Sequence, residues 1–330
     1  MSRAVALIRG AGIFPKFRPS GITSAIPPLG LAYVAGSVRA AGYDVTCIDA
    51  SGESLGSVRT CTFDNRFFES GLTIEEITER IPKNISVIGV SCMFSLEWFY
   101  VLELVREIRA KFPRAFIVLG GEHVTADYEY ILRTTSEADA CVLGEGENKF
   151  VSMLQALDEG VEKERLPGCA VRDSVTSVPV KNPEADGRYR IQSVDEIPRP
   201  AWDLFPIESY QSSKHSIGSR HHRAMPMLAS RGCPYRCSFC SSPQMWTTRW
   251  KARAVGDLIN EIKSYIRDYG INRIEFYDLS MFIDKRWIAE FCNRVIDEKL
   301  DITWTMTSGA RTEALSPDIL ELIKKSGCIV

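Results

Sequence analysis

Three thiols fall within eight residues in the stretch Ser230-Arg231-Gly232-Cys233-Pro234-Tyr235-Arg236-Cys237-Ser238-Phe239-Cys240, spaced CxxxCxxC. Three Cys so close can converge on one inorganic centre, and they cannot pair into disulfides without leaving one over. The opening Met-Ser-Arg-Ala-Val-Ala-Leu-Ile reads as a strand and not as a secretory signal. The thiols are therefore expected to stay reduced, in the cytoplasm. A closed zinc site takes four protein ligands. The next Cys, Cys292, lies far along the chain inside a helical pattern, so His221 or His222 would have to complete a zinc knuckle. A 4Fe-4S cluster offers another solution, since three thiolates leave one of its four irons open for an outside ligand. Three unrelated core thiols are the remaining alternative.

The chain before this loop alternates short apolar strands with helices. Strands are expected at 4–8, 44–49, 87–91, 115–119 and 140–143, and helices at 29–41, 72–81, 96–112 and 149–157. Gly42 reads as a helix C-cap, and Pro113 closes the 96–112 helix. Short β-branched runs separated by helices mean a parallel sheet covered on both faces, here a doubly wound α/β domain over residues 1–160. In such sheets ligands bind outside the carboxyl ends of the strands. Three expected strand ends carry small or turn-forming residues: Ser91, Gly120-Gly121 and Gly144-Glu145-Gly146. Glycine there lets a bulky ligand approach the backbone, or simply makes a tight turn. None of these is a GxGxxG fingerprint, so a dinucleotide is not indicated.

Residues 161–224 read as a hairpin and linker, with Trp202 as an anchor in a Pro-rich extended run. The basic stretch 214–223 is either a solvated loop or a lid over a cofactor cleft. From residue 225 the pattern becomes (β/α) repetition. Strands are expected at 225–230, 271–278 and 302–307, and helices at 254–269, 284–299 and 316–326, with Asp284 and Ser316 as N-caps. A fourth strand begins at 327, so the second domain, 225–330, reads as an incomplete barrel. A half barrel is expected to leave apolar strand edges open, so the polypeptide alone is expected to be unstable or to aggregate. In such folds the reacting groups gather at carboxyl strand ends, where Asp278 and Arg311 fall.

Arg-Gly-Cys-Pro-Tyr-x-Cys-x-Phe-Cys after an apolar strand resembles the radical S-adenosylmethionine (SAM) superfamily. The resemblance implies that Cys233, Cys237 and Cys240 hold a 4Fe-4S cluster whose open iron binds SAM, and that one electron then yields a 5′-deoxyadenosyl radical. It also implies that Phe239 lies near the adenine and that Asp278 and Arg311 contact SAM or the active site. The paired acidic residues usual after the second strand are only half matched by Asp278-Leu279-Ser280. Ahead of this motif, Pro-Pro-Leu-Gly-Leu around Leu29, Gly120-Gly121-x-His123 and Gly144-Glu145-Gly146-Glu147 resemble the Rossmann-like cobalamin-binding domain of cobalamin-dependent radical SAM enzymes. That likeness implies that Leu29, Ser91, Gly120, Gly121, His123, Gly144, Glu145 and Gly146 contact cobalamin. The Asp-x-His-x-x-Gly motif that supplies cobalt's lower ligand in many such domains is missing, and residues 10–28 contain no His. His123 is left as a candidate ligand or as a supporting residue.

The function implied is a C-methyltransferase. One SAM methylates cob(I)alamin, a second gives the radical, and the substrate radical takes methyl from methylcobalamin. Cyclisation or rearrangement without methyl transfer is the alternative, and a non-catalytic cobalamin- or metal-binding fragment is a third. Partners implied are a small-molecule substrate and an electron donor such as flavodoxin or ferredoxin. A net charge of −2 gives no reason to expect a nucleic-acid or anionic-membrane partner. The uncharged stretch Ser20 to Val38 holds Pro27-Pro28 and several Ser, Thr and Gly, which makes it a poor membrane span. Of the ten Cys, Cys47, Cys92 and Cys141 lie in or beside apolar runs and read as core residues. Cys61, Cys169, Cys292 and Cys328 have no partner spacing.

Overall fold

The computed structural model describes residues 3–17, 26–182, 190–212, 223–311, 313 and 315–329, with the side chain of Gln244 left out. His221, His222, the basic stretch 214–223 apart from Arg223, and residues 18–25 of the first loop lie outside them. The chain forms two units, Met1–Ile191 with Ile197–His215 and Gln192–Glu196 with Ser216–Val330.

In chain order the first unit contains β1 (Ala4–Arg9), β2 (Gly12–Pro15), α1 (Leu29–Ala40), β3 (Asp44–Asp49), α2 (Ala50–Glu53), β4 (Val58–Thr60), β5 (Phe67–Ser70), α3 (Ile74–Arg80), β6 (Val87–Ser91), α4 (Trp98–Lys111), β7 (Phe116–Gly120), α5 (Glu122–Thr134), β8 (Ala140–Val142), α6 (Gly146–Asp158), β9 (Cys169–Arg172), β10 (Pro179–Lys181) and α7 (Ile207–Ser212). Its main sheet has the order β3-β1-β6-β7-β8-β9-β10. The first five are parallel, while β9 and β10 join antiparallel at the edge, where Pro179 costs no ladder bond. Counting the parallel strands alone gives 2-1-3-4-5, a doubly wound order whose topological switch point lies between β1 and β6.

Both faces of this sheet are apolar, as parallel strands under helices require. Ala6, Ile8, Ile88, Val90, Ile117 and Leu119 form one buried cluster with Ile77 of α3, Leu104 and Ile108 of α4 and Ile131 of α5. On the opposite face a Cβ on Gly89 would meet Leu7 and Phe150 of α6. The short α3 is secured by a capping box. Thr73 Oγ1 accepts the Glu76 N–H at 3.1 Å, and Glu76 Oε2 accepts the Thr73 N–H at 2.8 Å.

The pattern of residues does not reveal α5 or the small antiparallel sheet β4-β5-β2. Only His123, Val124, Ile131 and Leu132 of α5 are buried, and Asp127 breaks its helical backbone, so apolar periodicity is weak there. The small sheet is held locally, with Phe14 of β2 against Phe68 of β5 at 5.7 Å.

The second unit contains β11 (Ala224–Met227), β12 (Ser230–Arg231), α8 (Ser242–Trp246), β13 (Lys251–Ala252), α9 (Val255–Tyr269), β14 (Arg273–Phe276), α10 (Lys285–Asp297), β15 (Thr303–Met306) and α11 (Pro317–Lys325). Strands β11-β14-β15 form a parallel sheet, and Cys328 bridges to Trp304 beside it. Trp304 anchors the core edge-on to Phe276, Phe282 and Phe291, at 5.9, 6.2 and 5.5 Å. Gly270 ends α9 in the left-handed region at φ 60°, and Asp284 caps α10 by accepting the Arg286 N–H at 2.8 Å. Ser316 precedes α11 but makes no capping bond with its side chain. The architecture is α/β throughout. No helix among the described residues is long and apolar enough to cross a membrane.

In the first unit the Pro-rich run crosses α1 closely. The Ala201 N–H donates to the Ala32 carbonyl at 3.0 Å, and Trp202 is buried. A Cβ on Gly36 would overlap the Arg199 carbonyl oxygen. Gly36→Ala should therefore cost about 1–3 kcal/mol despite alanine's better helix propensity, which chemical denaturation of the two proteins will measure.

Candidate functional site

The cysteine loop leaves β12 and returns through β13, to which β12 pairs antiparallel. Gly232 makes the exit. Its φ is +81°, and a Cβ there would overlap the Arg249 carbonyl oxygen, so no other residue fits without a shift. Residues 237–240 close a turn in which the Cys240 N–H donates to the Cys237 carbonyl at 3.1 Å. Cys233 and Cys237 are half-buried, and Cys240 is exposed. Among the described residues no three His, Cys, Asp or Glu side chains converge on one ion position. The chemistry of three thiols without a fourth protein ligand fits a centre that takes each thiolate on a separate iron. Cys292, the other thiol considered for zinc, is fully buried in α10.

Below the loop, Asp278 is 2% exposed. Its carboxylate accepts the Ala229 N–H on both oxygens, at 3.2 and 3.0 Å, and the Ser230 hydroxyl at 2.5 Å. Burial raises its pKa to about 6, and the bonds from Ser230 and Ala229 oppose that rise. This carboxylate ties the end of β14 to the segment that launches the thiols. Arg311 sits at the loop itself. Its Nη2 lies 3.2 Å from Cys237 Sγ, and its guanidinium carbon lies 3.9 Å from the centre of the Tyr235 ring. Phe239 is 91% exposed.

In the first unit, the residues expected to meet cobalamin cluster at carboxyl strand ends. Ser91 ends β6 between Arg9 of β1 and Gly120 of β7. Gly121 has φ +113°, and a Cβ there would overlap the Cys92 carbonyl. Gly120 has nothing nearer to a built Cβ than the Val142 carbonyl at 4.0 Å. Gly144 turns at φ +74° and donates its N–H to Thr125 Oγ1 at 2.9 Å. Glu145 is buried and accepts the Ile191 N–H at 3.4 Å, while Gly146 opens α6 and Leu29 opens α1. The open backbone at Gly120, at the end of β7, is a fit for a large ligand lying against it.

His123 is 9% exposed, with Nδ1 3.0 Å from the Ser95 hydroxyl and its ring 5.3 Å from that of Trp98. Its Nε2 is buried without a hydrogen-bond partner. Burial lowers its pKa, with Asp127 opposing, so the ring is neutral at neutral pH.

Two features near these strand ends escape the sequence reading. Arg9 and Asp49, at the ends of the neighbouring strands β1 and β3, form a buried network with Tyr210. Arg9 Nη1 donates to the Tyr210 hydroxyl at 3.0 Å, and that hydroxyl donates to Asp49 Oδ2 at 2.5 Å. A charged residue closing each of two apolar strands was the available signal. Beyond β6, Met93, Phe94, Leu96 and Phe99 are all exposed apolar side chains. In the sequence they merge with the α4 pattern, where exposed and buried apolar residues look alike.

Residues 21–154 match the B12 binding domain family. An uncharacterized methyltransferase of Pyrococcus horikoshii, PH0819, is 32% identical over 302 residues, covering 92% of this chain and 59% of that protein. The chain is similar to the cobalamin-dependent radical SAM enzymes. The anaerobic magnesium-protoporphyrin IX monomethyl ester cyclase of Synechocystis sp. is 28% identical over 306 residues, or 92% of this chain and 55% of that protein. Among solved structures, the radical SAM methyltransferase TsrM of Kitasatospora setae with cobalamin and a [4Fe-4S] cluster bound has the same fold. It gives a TM-score of 0.70 at 18% identity, over 99% of this chain and 60% of that one. The chain thus spans 55–60% of the length of these relatives.

Asp278→Ala should cost about 3 kcal/mol, because the Ala229 N–H and the Ser230 hydroxyl lose a buried acceptor. The raised pKa fixes the pH dependence. The folded chain keeps this proton up to about 6 whereas the unfolded chain releases it near 3.8, so Asp278's share of stability falls as pH rises across that window and is level above it. Asp278→Asn should flatten the fall, which unfolding in guanidinium at stepped pH will read.

Proposed function

We propose that this chain carries the cofactor-binding part of a cobalamin-dependent radical SAM enzyme, a C-methyltransferase acting on a small-molecule substrate. The observation that carries the reading is the cysteine loop, whose three thiols reach solvent, in one chain with a B12-binding domain. When bound, the cluster supplies one electron for homolytic cleavage of SAM, and cobalamin supplies the methyl group. The chain's own residues do the rest. Cys233, Cys237 and Cys240 hold the cluster, and Asp278 fixes the segment that presents them. Phe239, exposed beside the last thiol, is free to stack on the adenine of SAM. Gly120 would leave room for the corrin, Gly121, Gly144 and Gly146 would make the turns beside it, and Leu29, Ser91 and Glu145 would flank it.

The electron comes from a small redox protein such as a flavodoxin or ferredoxin, and the work is done in the cytoplasm, where thiolates and clusters survive. A second reading keeps both cofactors and gives ring closure without methyl transfer. It is favoured by the 28% identity to the cyclase of Synechocystis sp.. Product mass separates the two, since only methyl transfer adds one methylene unit.

The decisive variant is Cys237→Ala. After anaerobic reconstitution it should bind less iron and sulfide than the parent chain and release no 5′-deoxyadenosine from SAM above background. Undiminished cleavage would refute the cluster assignment. His123 is not expected to ligate cobalt, because Nδ1 is engaged by Ser95 and Nε2 is buried. Electron paramagnetic resonance of the cobalt(II) form should show no nitrogen splitting from a lower ligand, and His123→Ala should leave the spectrum unchanged.

A further inference from the structure

We propose that Arg311 is a positioning residue that sets the electron affinity of the cluster by holding a fixed positive charge on the Cys237 sulfur. The inference rests on the cluster reading above and deepens it. Arg311 lies 74 residues beyond Cys237, yet its Nη2 approaches Cys237 Sγ to 3.2 Å. The approach is not left to a free side chain. The guanidinium lies over Tyr235, inside the same loop, with its carbon 3.9 Å from the ring centre. On its other edge Nη1 lies 3.3 Å from Glu313 Oε1. The stack sets the plane of the fork and the carboxylate sets its rotation, so the remaining nitrogen is turned to the sulfur.

An Arg is suited to this place because its planar cation stacks on an aromatic face while its N–H groups still donate in the plane. A lysine would bring the charge without the plane. Hydrogen bonds and cations at a ligating sulfur stabilise the more negative, reduced state of an iron–sulfur cluster, and so raise its potential. In SAM cleavage the electron must first be accepted from a weak external donor. A cation held on one thiolate eases that uptake before SAM is present. Contact with the carboxylate of SAM, the role implied by family likeness, would act only once SAM is bound.

The test is the midpoint potential of the SAM-free cluster, titrated with dithionite and followed by electron paramagnetic resonance, in the parent chain, Arg311→Gln and Arg311→Lys. Iron and sulfide are measured on each sample, and SAM affinity is measured separately. Arg311→Gln should shift the midpoint to more negative potential at unchanged iron content, and Arg311→Lys should shift it less in the same direction. If Arg311→Gln fails to load iron, Arg311→Lys decides by the sign of its shift. An unchanged midpoint in the iron-loaded variants overturns the proposal, and weakened SAM binding alongside it would make Arg311 a SAM contact instead. A parent chain without iron and sulfide would overturn it by a different route, by removing the cluster reading itself.

Discussion

Everything the second unit offers to chemistry depends on one buried carboxylate. Asp278 would be costly to bury alone, and it is kept by two donors, the Ala229 N–H and the Ser230 hydroxyl. Those donors belong to the segment between β11 and β12, so the bond joins the end of one parallel strand to the start of the cysteine loop. The first unit solves the same problem in the same way. Asp49, at the end of β3, is buried and accepts the Tyr210 hydroxyl and the Gly52 N–H, the latter at 3.2 Å. In both units the sheet ends on an acid whose lone pairs recruit the next piece of chain. A site on a loop gains the rigidity of the sheet only through such ties.

The two expected sites nevertheless differ in how they are made. The strand ends of the first unit are shaped by what the backbone omits. Gly121 and Gly144 take positive φ, and Gly120 leaves open space where a side chain would stand. The cysteine loop is shaped by what it adds, namely three sulfurs, an aromatic ring and a cation brought from β15's far end. Omission is economical in sequence, because a glycine after an apolar strand announces itself. Addition from a distance is silent.

That difference explains what could be read in advance. The alternation of strands and helices, the glycine turns and the thiol spacing are local, so the α/β class and the placing of 91, 120–121 and 144–146 at strand ends were legible. Helix α5 was not, because its apolar face has four residues and is broken at Asp127. The bond from Asp278 to Ser230 spans 48 residues, and the one from Arg311 to Cys237 spans 74. Nothing in the spacing of Asp278 separates a carboxylate aimed at a cosubstrate from one turned down to hold a strand. Likewise Arg311 reads the same whether it meets sulfur, carboxylate or water.

The ten thiols of the chain also sort themselves by physics. Iron takes thiolate, so a cysteine that cannot ionise cannot compete for it. Burial pushes Cys47 and Cys169 up to about 12 and Cys328 up to about 11. It raises Cys92, Cys141 and Cys292 as well, with neighbouring carboxylate or thiol charges adding to the effect at the first two. Cys61 is buried too. In the loop Cys240 is exposed, Cys233 and Cys237 are half-buried, and Cys237 lies beside the Arg311 guanidinium. Burial thus disfavours the thiolate at six of the seven thiols outside the loop.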